Sequence, residues 1–213
     1  MAAKKKSAGK ESPSSSGAAD PRARIVAAAL REAAAVGWRG VTMEAVARRA
    51  DMALGDVIAA APTKAHLVAH IAAQVDAQML ARVGFPDATV SVRDRLFDVL
   101  MKRFDALQKH RDGFLALLTG LSRDPPAAAM ALARLSRSMA AVLAAAGVSS
   151  DGLIGCARVH ALKAVHLSAL RAWRTDDSAD MSKTMAALDK ALNLAERAAT
   201  FTRLRRPAEK KAA

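Results

Sequence analysis

Few side chains in this sequence have the types and spacing that catalysis or metal binding requires. His66 and His70 lie four residues apart, a spacing that places two imidazoles on one face of a helix, where they could share a metal ion. No nearby Cys or His completes a set of ligands, and the sequence contains no G-x-S-x-G, no glycine-rich phosphate loop and no H-E-x-x-H. The sequence therefore predicts a protein that is not an enzyme, with no catalytic residues, no metal site and no cofactor.

Two further histidines, His160 and His166, lie in an apolar segment that spans residues 151–174. A neutral histidine in such a segment can be a polar anchor inside a ligand cavity, because its ring offers one hydrogen-bond donor and one acceptor. It can also be an ordinary core residue whose ring is satisfied by the backbone. The sequence leaves both interpretations open.

The composition favours helices and an intracellular location. The 213 residues are 52% hydrophobic and include no tyrosine, and alanine, the strongest helix former, dominates. The single cysteine, Cys156, excludes an intrachain disulfide and lies in an apolar stretch, so we expect a buried thiol in a reducing compartment. No run reaches the roughly 18 apolar residues of a membrane span, and we expect a cytoplasmic protein.

The positive charge of the chain is concentrated at its two ends. The formal net charge is +13, and the segments 1–24 and 201–213 each contribute +4 of it. Basic tails can hold a nucleic-acid backbone or an anionic membrane surface. They can also serve only solubility, so charge alone does not select the partner.

Hydrophobic periodicity and capping residues predict an all-α protein without strands or repeats. Residues 1–20 and 207–213 are polar, small and basic, and are predicted to be disordered. Between them we expect nine helices, over about 22–36, 42–50, 54–60, 63–83, 91–109, 112–121, 125–146, 151–174 and 178–202.

The segment 22–70 has the most specific local pattern, because its second and third helices are separated by about three residues, the spacing of a helix-turn-helix. The stretch IVAAALREAAAVGWRGVTMEAVARRADMALGDVIAAAPTKAHLVAHI resembles the N-terminal domain of the TetR family. The shared features are an apolar first helix followed by Gly37, Thr42 opening the second helix, and Thr63-Lys64 opening a long fourth helix. The resemblance implies a DNA-binding domain over residues 21–70 and a ligand-binding and dimerisation domain over 71–206.

The resemblance implies that the third helix enters the major groove of double-stranded operator DNA. Its groove-facing residues would be Leu54, Gly55, Asp56 and Ala59. Phosphates would meet the neighbouring helix ends, at Thr42, Arg48, Arg49, Thr63 and Lys64. The alternative for the three basic side chains is an ordinary solvated surface.

The third helix departs from the family pattern. The family usually has a Tyr, and two residues later a His and a Phe, where this sequence has Ile58, Ala60 and Ala61. Ala53 replaces the usual small polar cap, and Asp56 adds negative charge on the side that DNA would approach. The predicted groove face has no Arg, Lys, Asn or Gln for bidentate reading of bases.

The helices after residue 71 carry large apolar side chains facing many alanines. We expect them to line a cavity for a small apolar ligand, or else to form an ordinary packed core. The predicted ligand contacts are Phe97, Leu100, Met101, Phe104, Phe114, Leu118, Met139, His160, Val165 and His166, and the same interior includes Leu117, Met130, Leu135, Leu143, Leu162 and Leu170. By resemblance, residues 151–174 and 178–202 form the homodimer interface, where small side chains permit close approach: Ala157, Ala161, Ala164 and Ser168.

A second resemblance concerns TetR-fold lipid-binding proteins of ubiquinone biosynthesis. The sequence Gly37-Trp38 is similar to a stretch of that family, and the residues from Trp173 to Leu192 are similar to its tail pattern, carried here by Asp176, Ser178, Asp180, Thr184 and Leu188. The family's membrane-binding helix would correspond to residues 194–204, with Arg197, Arg203, Arg205 and Arg206. The simpler interpretation is that Asp177 and Ser178 cap the last helix, with Asp180 in its first turn.

Two functions follow from these patterns. The first is a ligand-responsive repressor that binds operator DNA as a dimer. The second is a lipid-binding accessory protein that uses the same scaffold without DNA and approaches a membrane surface. The sequence favours the first, because the helix-turn-helix match is the more specific one.

Overall fold

The computed structural model describes residues 20–204, with side chains described as far as residue 198. This range contains nine α-helices, one short 3-10 helix and no strand, which confirms the predicted all-α class. The helices are α1 (Pro21–Gly40), α2 (Met43–Ala50), α3 (Leu54–Ala60), α4 (Lys64–Leu80), α5 (Val92–Gln108), α6 (Arg111–Gly120), α7 (Pro125–Ala145), α8 (Gly152–Trp173) and α9 (Ser182–Leu204), with the 3-10 helix at Leu121–Arg123. The expectations for residues 1–19 and 205–213 lie outside the described residues.

Local sequence signals set most helix ends. Thr42 Oγ1 accepts a hydrogen bond from the N–H of Ala45 at 3.1 Å and begins α2, and Ser91 Oγ accepts from the N–H of Asp94 at 3.1 Å and begins α5. Gly37 interrupts α1 with φ 73° and ψ 157°, a backbone conformation that residues with a Cβ rarely adopt. One further turn then brings the chain to α2.

Helices α1 and α6 approach each other more closely than a Cβ would allow. A Cβ added to Gly113 would lie 2.3 Å from the carbonyl oxygen of Leu30, and one added to Gly120 would lie 2.5 Å from Cβ of Trp38. Both glycines, Leu30 and Trp38 are buried. The two glycines therefore let the helix-turn-helix region dock tightly on the C-terminal helices.

Helix α4 joins the two regions from the other side. It runs without a break through residue 70, where the sequence suggested a boundary between domains. Its buried side chains include Leu67, Ile71, Val75 and Met79, and they belong to one continuous core that extends from Ile25 in α1 to Leu192 in α9. The helix-turn-helix and the C-terminal bundle thus share a single apolar interior.

Two of the described helices, α7 and α8, are long and apolar enough to cross a membrane, which corrects the expectation that no segment qualifies. Each also carries basic side chains along its length: Arg134 and Arg137 in α7, and Arg158 and Lys163 in α8. One side of each helix packs in the core, and 28% of each apolar window is buried. The two helices are weak grounds for a membrane.

Asp176 organises the turn between α8 and α9. Its carboxylate accepts from the N–H and hydroxyl of Thr184, both at 2.7 Å, and from the N–H of Ser178 at 3.2 Å and its hydroxyl. Helix α9 consequently begins at Ser182 and not at residue 178. The predicted cap is confirmed for Ser178, whose Oγ accepts from the N–H of Ser182 at 3.0 Å. Asp180 accepts from the same N–H at 3.2 Å, just before the first turn and not within it, and Asp176 adds the cap of Thr184. Burial raises the pKa of Asp176, but the hydrogen bonds from Ser178 and Thr184 outweigh it and hold the pKa well below its usual range.

We expect Gly113→Ala to lower the free energy of unfolding by about 1–3 kcal/mol, because the added methyl forces α6 away from the backbone of α1. Chemical denaturation at fixed protein concentration measures the effect. Gly55→Ala in α3 is the matched control, since no atom lies near its Cβ position, and it should stabilise by up to about 1 kcal/mol through helix propensity. Equal effects of the two variants would contradict the tight α1–α6 contact.

We expect Asp176→Asn to destabilise the protein by about 2–3 kcal/mol at neutral pH, because the amide cannot accept all four hydrogen bonds. The folded pKa of Asp176 lies below the unfolded value, so its contribution is complete above about pH 4 and is lost as the pH falls below that value. Denaturation curves at pH 7 and pH 3 should show the gap to wild type narrowing in acid. Asp177→Asn, at an exposed carboxylate 3.4 Å from Arg111, should change little at either pH.

Candidate nucleic-acid interface and ligand cavity

The turn between α2 and α3 is held by an arginine of α1. One Arg24 guanidinium nitrogen donates to the carbonyl oxygens of Ala50 and Asp51, each at 2.6 Å. Asp51 adopts a left-handed conformation with φ 51°, and its N–H returns to the carbonyl of Arg48. Arg24 therefore fixes the angle between the two helices, a role that the sequence did not indicate.

Most side chains of helix α3 are exposed, and most of them are apolar or small. Val57 is its fully buried residue, and Ala60 packs partly against the core. The four predicted groove-facing residues, Leu54, Gly55, Asp56 and Ala59, are all exposed, as is Ile58. Ala53 makes no side-chain cap at the start of the helix. The exposed surface of α3 is thus apolar, with one carboxylate.

The two arginines of α2 pair with glutamates. Arg48 contacts Glu44 on the same helix at 3.0 Å, and Arg49 contacts Glu32 of α1 at 2.7 Å. The Arg48 side chain is 73% exposed and that of Arg49 is 40% exposed. Arg48 can therefore exchange its carboxylate for a phosphate at little cost, because exposed ion pairs contribute at most about 1 kcal/mol. Arg49 is held more firmly, because the Glu32 side chain is only 12% exposed.

Lys64 lies at the start of α4, as predicted, but its ammonium group turns back toward α1. The Nζ atom donates to the carbonyl oxygens of Trp38 and Arg39 at 3.0 and 2.9 Å and lies 5.8 Å from the centre of the Trp38 ring. Lys64 thereby satisfies carbonyls at the end of α1, where a cation is favoured. Thr63 bonds to His66 through its hydroxyl, at 2.8 Å.

The histidine pair of α4 has separate partners. His66 Nδ1 faces Thr63, whereas His70 Nε2 lies 3.0 Å from the carbonyl oxygen of Ala60. Across the described residues, no group of three or more His, Cys, Asp or Glu side chains is placed to hold a metal ion.

A cavity of about 360 Å³ lies in the C-terminal bundle. It reaches into five α-helices and the 3-10 helix, and its wall is apolar except at Arg103, Ser122 and His166. The lining residues are Val68, Ile71, Ala72 and Val75 of α4; Arg103 and Leu107 of α5; Phe114, Leu117 and Leu118 of α6; Leu121 and Ser122; Ala128, Ala131, Leu132 and Leu135 of α7; and His166, Leu167, Leu170 and Trp173 of α8.

Three of the ten predicted ligand contacts line this cavity: Phe114, Leu118 and His166. The other seven do not. Leu100, Phe104, Met139 and Val165 are buried core residues, Phe97 and Met101 are partly buried against the core, and His160 is exposed. Helical periodicity identifies the apolar face but not which part of that face meets a gap, so packed and cavity-lining side chains look alike in sequence.

Arg103 and the cavity wall formed by α4 were not predicted from the sequence. Arg103 shares a helix face with Leu96, Leu100, Phe104 and Leu107, at spacings of three and four residues, and a basic residue on an apolar face was the available signal. Of the α4 residues in the wall, Val68 lies in the predicted DNA-binding region, whereas Ile71, Ala72 and Val75 lie in the predicted ligand-binding domain but were not among the predicted contacts.

A polar cluster forms one part of the cavity wall. Asp76 bridges Arg103 and Ser138, whose hydroxyl donates to the carboxylate at 2.7 Å. Burial lowers the pKa of Arg103, and the adjacent Asp76 raises it in part. Burial, together with the charge of Arg103, lowers the pKa of His166 to about 3, so the imidazole is neutral at physiological pH. His166 stacks on Phe104 with the ring centres 5.2 Å apart.

One face of α8 is uncovered in the single chain. The predicted close-approach residues Ala157, Ala161, Ala164 and Ser168 are all exposed, and Leu153 on the same helix is 91% exposed. Cys156 is also exposed, so the expected buried thiol is wrong. An apolar helix face of this kind suits contact with a second subunit.

An N-terminal helix-turn-helix on an all-helical domain with an internal cavity is the architecture of a DNA-binding regulator. Residues 25–71 match the family described as bacterial regulatory proteins, tetR family. The match confirms the first resemblance for the helix-turn-helix region and supports a DNA-binding transcriptional regulator.

Solved structures share the fold over both regions. A TetR transcriptional regulator from Nitrosomonas europaea ATCC 19718 is similar at a TM-score of 0.65 and 23% identity, covering 84% of this chain and 99% of that chain. A TetR transcriptional regulator from Rhodococcus sp. RHA1 is similar at a TM-score of 0.58 and 20% identity, covering 82% and 95%. Among curated proteins, none matches this chain.

Nothing in these comparisons favours the ubiquinone-biosynthesis alternative. Three residues of its tail pattern, Asp176, Ser178 and Thr184, are bound to one another in the turn before α9, and Leu188 is fully buried. Helix capping and core packing account for all four. Arg203, Arg205 and Arg206 lie beyond the described side chains.

Proposed function

We propose that this TetR-family regulator is a cytoplasmic, ligand-responsive repressor that binds operator DNA as a homodimer and releases it when a small apolar ligand enters the bundle. The observation that carries the proposal is the position of the cavity. Its wall includes α4 and α6, and both helices are packed against α1, which holds the helix-turn-helix.

The proposed DNA contacts use phosphates for affinity and shape for specificity. Arg48 and Arg49 would exchange their glutamate partners for phosphates, and Thr42, Thr63 and the start of α4 would add hydroxyl and backbone donors. The exposed face of α3 offers Leu54, Ile58 and Ala59. Apolar side chains of this kind suit the methyl groups of thymine rather than the polar edges of bases.

The proposed signal passes through two contacts. Ligand against Val68 and Ile71 would shift α4, whose Lys64 is bound to the carbonyls that end α1. Ligand against Phe114 and neighbouring α6 residues would shift the glycine-lined contact with α1. Because a packed interior transmits displacement, either shift changes the distance between the two α3 helices of the dimer, which must match successive major grooves about 34–36 Å apart.

We expect Ala59→Glu to weaken binding to DNA from upstream of the protein's own gene by about tenfold or more, which corresponds to 1.4 kcal/mol of added repulsion. Asp56→Ala should strengthen binding, because it removes a carboxylate that faces the phosphates. Fluorescence anisotropy with labelled duplex at fixed salt measures both.

The control for the DNA experiment is Ala129→Glu, which adds the same charge at an exposed position of α7 and should leave the affinity unchanged. Wild-type protein that binds scrambled duplex as tightly as the upstream sequence would count against the operator proposal. If the Ala59 and Ala129 variants bind the DNA with equal affinity, α3 is not part of the DNA interface.

We expect the neutral apolar probe N-phenyl-1-naphthylamine to bind with increased fluorescence and to release the DNA. Its size suits a 360 Å³ cavity, which is at the small end of the range for ligand pockets. Leu118→Trp fills part of the cavity and should abolish both effects while DNA affinity without the probe is kept.

Leu80→Trp serves as the control for the cavity experiment, because Leu80 is exposed at the end of α4 and does not line the cavity. It should bind the probe as wild type does. Probe binding that survives Leu118→Trp, or that leaves the DNA complex intact, would contradict the proposed coupling.

A further inference from the structure

Two residues in the wall of the cavity each have one buried polar atom without a hydrogen-bond partner within residues 20–204. The atoms are Nε of Arg103 and Nδ1 of His166. Both residues line the cavity, from α5 and α8 respectively, and they are only 5% and 3% exposed. An unpartnered buried polar atom costs about 1–3 kcal/mol, so a ligand atom that bonds to both would remove a standing penalty.

The existing partners of this cluster leave these two atoms free for a ligand. Asp76 is already occupied, since one oxygen binds Arg103 and the other accepts from Ser138. The stacking of His166 on Phe104 fixes the plane of the imidazole without using either of its nitrogens. Arg103 and His166 therefore form the buried polar part of a wall that is otherwise apolar except at Ser122.

The charges of the cluster define what the ligand can carry there. The guanidinium of Arg103 is balanced by Asp76, and burial keeps His166 neutral because its pKa falls to about 3. Arg103 and His166 are the titratable residues among those that line the cavity. A carboxylate placed there would leave an unbalanced buried negative charge, and an ammonium group would meet the guanidinium.

We propose that the cavity selects an uncharged amphipathic ligand, with an apolar chain or ring system and one ketone, ester or alcohol oxygen that accepts hydrogen bonds from Nε–H of Arg103 and from Nδ1–H of His166. This inference rests on the proposed ligand-responsive function and names the ligand's chemical class. The apolar part of the ligand would lie against Leu118, Leu135 and Leu170.

The test is a displacement series on the wild-type protein. N-phenyl-1-naphthylamine is bound first, and 2-decanone, decane, decanoate and decylamine at pH 8 then compete for the cavity. We expect 2-decanone to displace the probe at a concentration at least about fivefold lower than any of the others. The difference corresponds to the free energy of one or two buried hydrogen bonds. Decane at equal potency, or decanoate at higher potency, would overturn the proposal.

Two variants locate the oxygen site. His166→Phe keeps an aromatic ring on Phe104 and removes Nδ1, and Arg103→Lys keeps a charge beside Asp76 and removes Nε. Each variant should raise the concentration of 2-decanone needed to displace the probe by about three- to tenfold, and should leave the concentration of decane needed unchanged. His66→Phe is the control, because His66 is exposed and lies outside the cavity wall.

The failures of the two proposals are distinguishable. If neither the probe nor any of the four competitors binds, the ligand-responsive function itself is wrong, and this inference falls with it. If all the competitors bind with the same potency in wild-type protein, or the His166 variant ranks them as wild type does, the function stands and the uncharged-oxygen site is wrong.

Discussion

The close approach of α6 to α1 is the constraint on which the rest of the architecture depends. At Gly113 and Gly120 the two helices are so near that a single methyl group would meet backbone or the side chain of Trp38. Helix α1 can therefore not move independently of α6, and α6 forms part of the cavity wall. The same contact stabilises the junction of the two regions, and it is the connection through which the proposed ligand would act on the helix-turn-helix, because close-packed helices transmit displacement.

The second connection between the regions is electrostatic. Lys64 begins α4 and satisfies two carbonyls at the end of α1, while Asp76, three turns further along α4, pairs with Arg103 at the cavity. Helix α4 thus makes one charged contact with the helix-turn-helix and another with the cavity wall. The arginines at the turn and on α2, which are Arg24, Arg48 and Arg49, all have partners in the protein. DNA must replace some of those partners, which favours affinity that depends strongly on salt.

The lipid-binding resemblance shows how a sequence motif can have a structural cause. The pattern around Asp176 and Thr184 looks like a family signature, yet the side chains are used to end one helix and begin the next. A buried carboxylate that accepts four hydrogen bonds requires Ser and Thr donors at fixed distances along the chain, whatever the protein binds. In this chain the motif has a structural cause, so it carries no information about the ligand.

The sequence by itself determined the helical class, the order of the elements and the helix-turn-helix, because capping residues such as Thr42 and Ser91 and the break at Gly37 act within a few residues of the chain. It also identified which residues of α3 are exposed, since a seven-residue helix with one buried valine has few alternatives. The tertiary structure alone decided where the cavity lies and that His166, and not His160, faces it. Both histidines occupy the same apolar segment, and their difference depends on how α8 is rotated against its neighbours. The periodicity of one helix does not predict how that helix is rotated in the fold. The rotation is set by packing between helices that are distant in sequence.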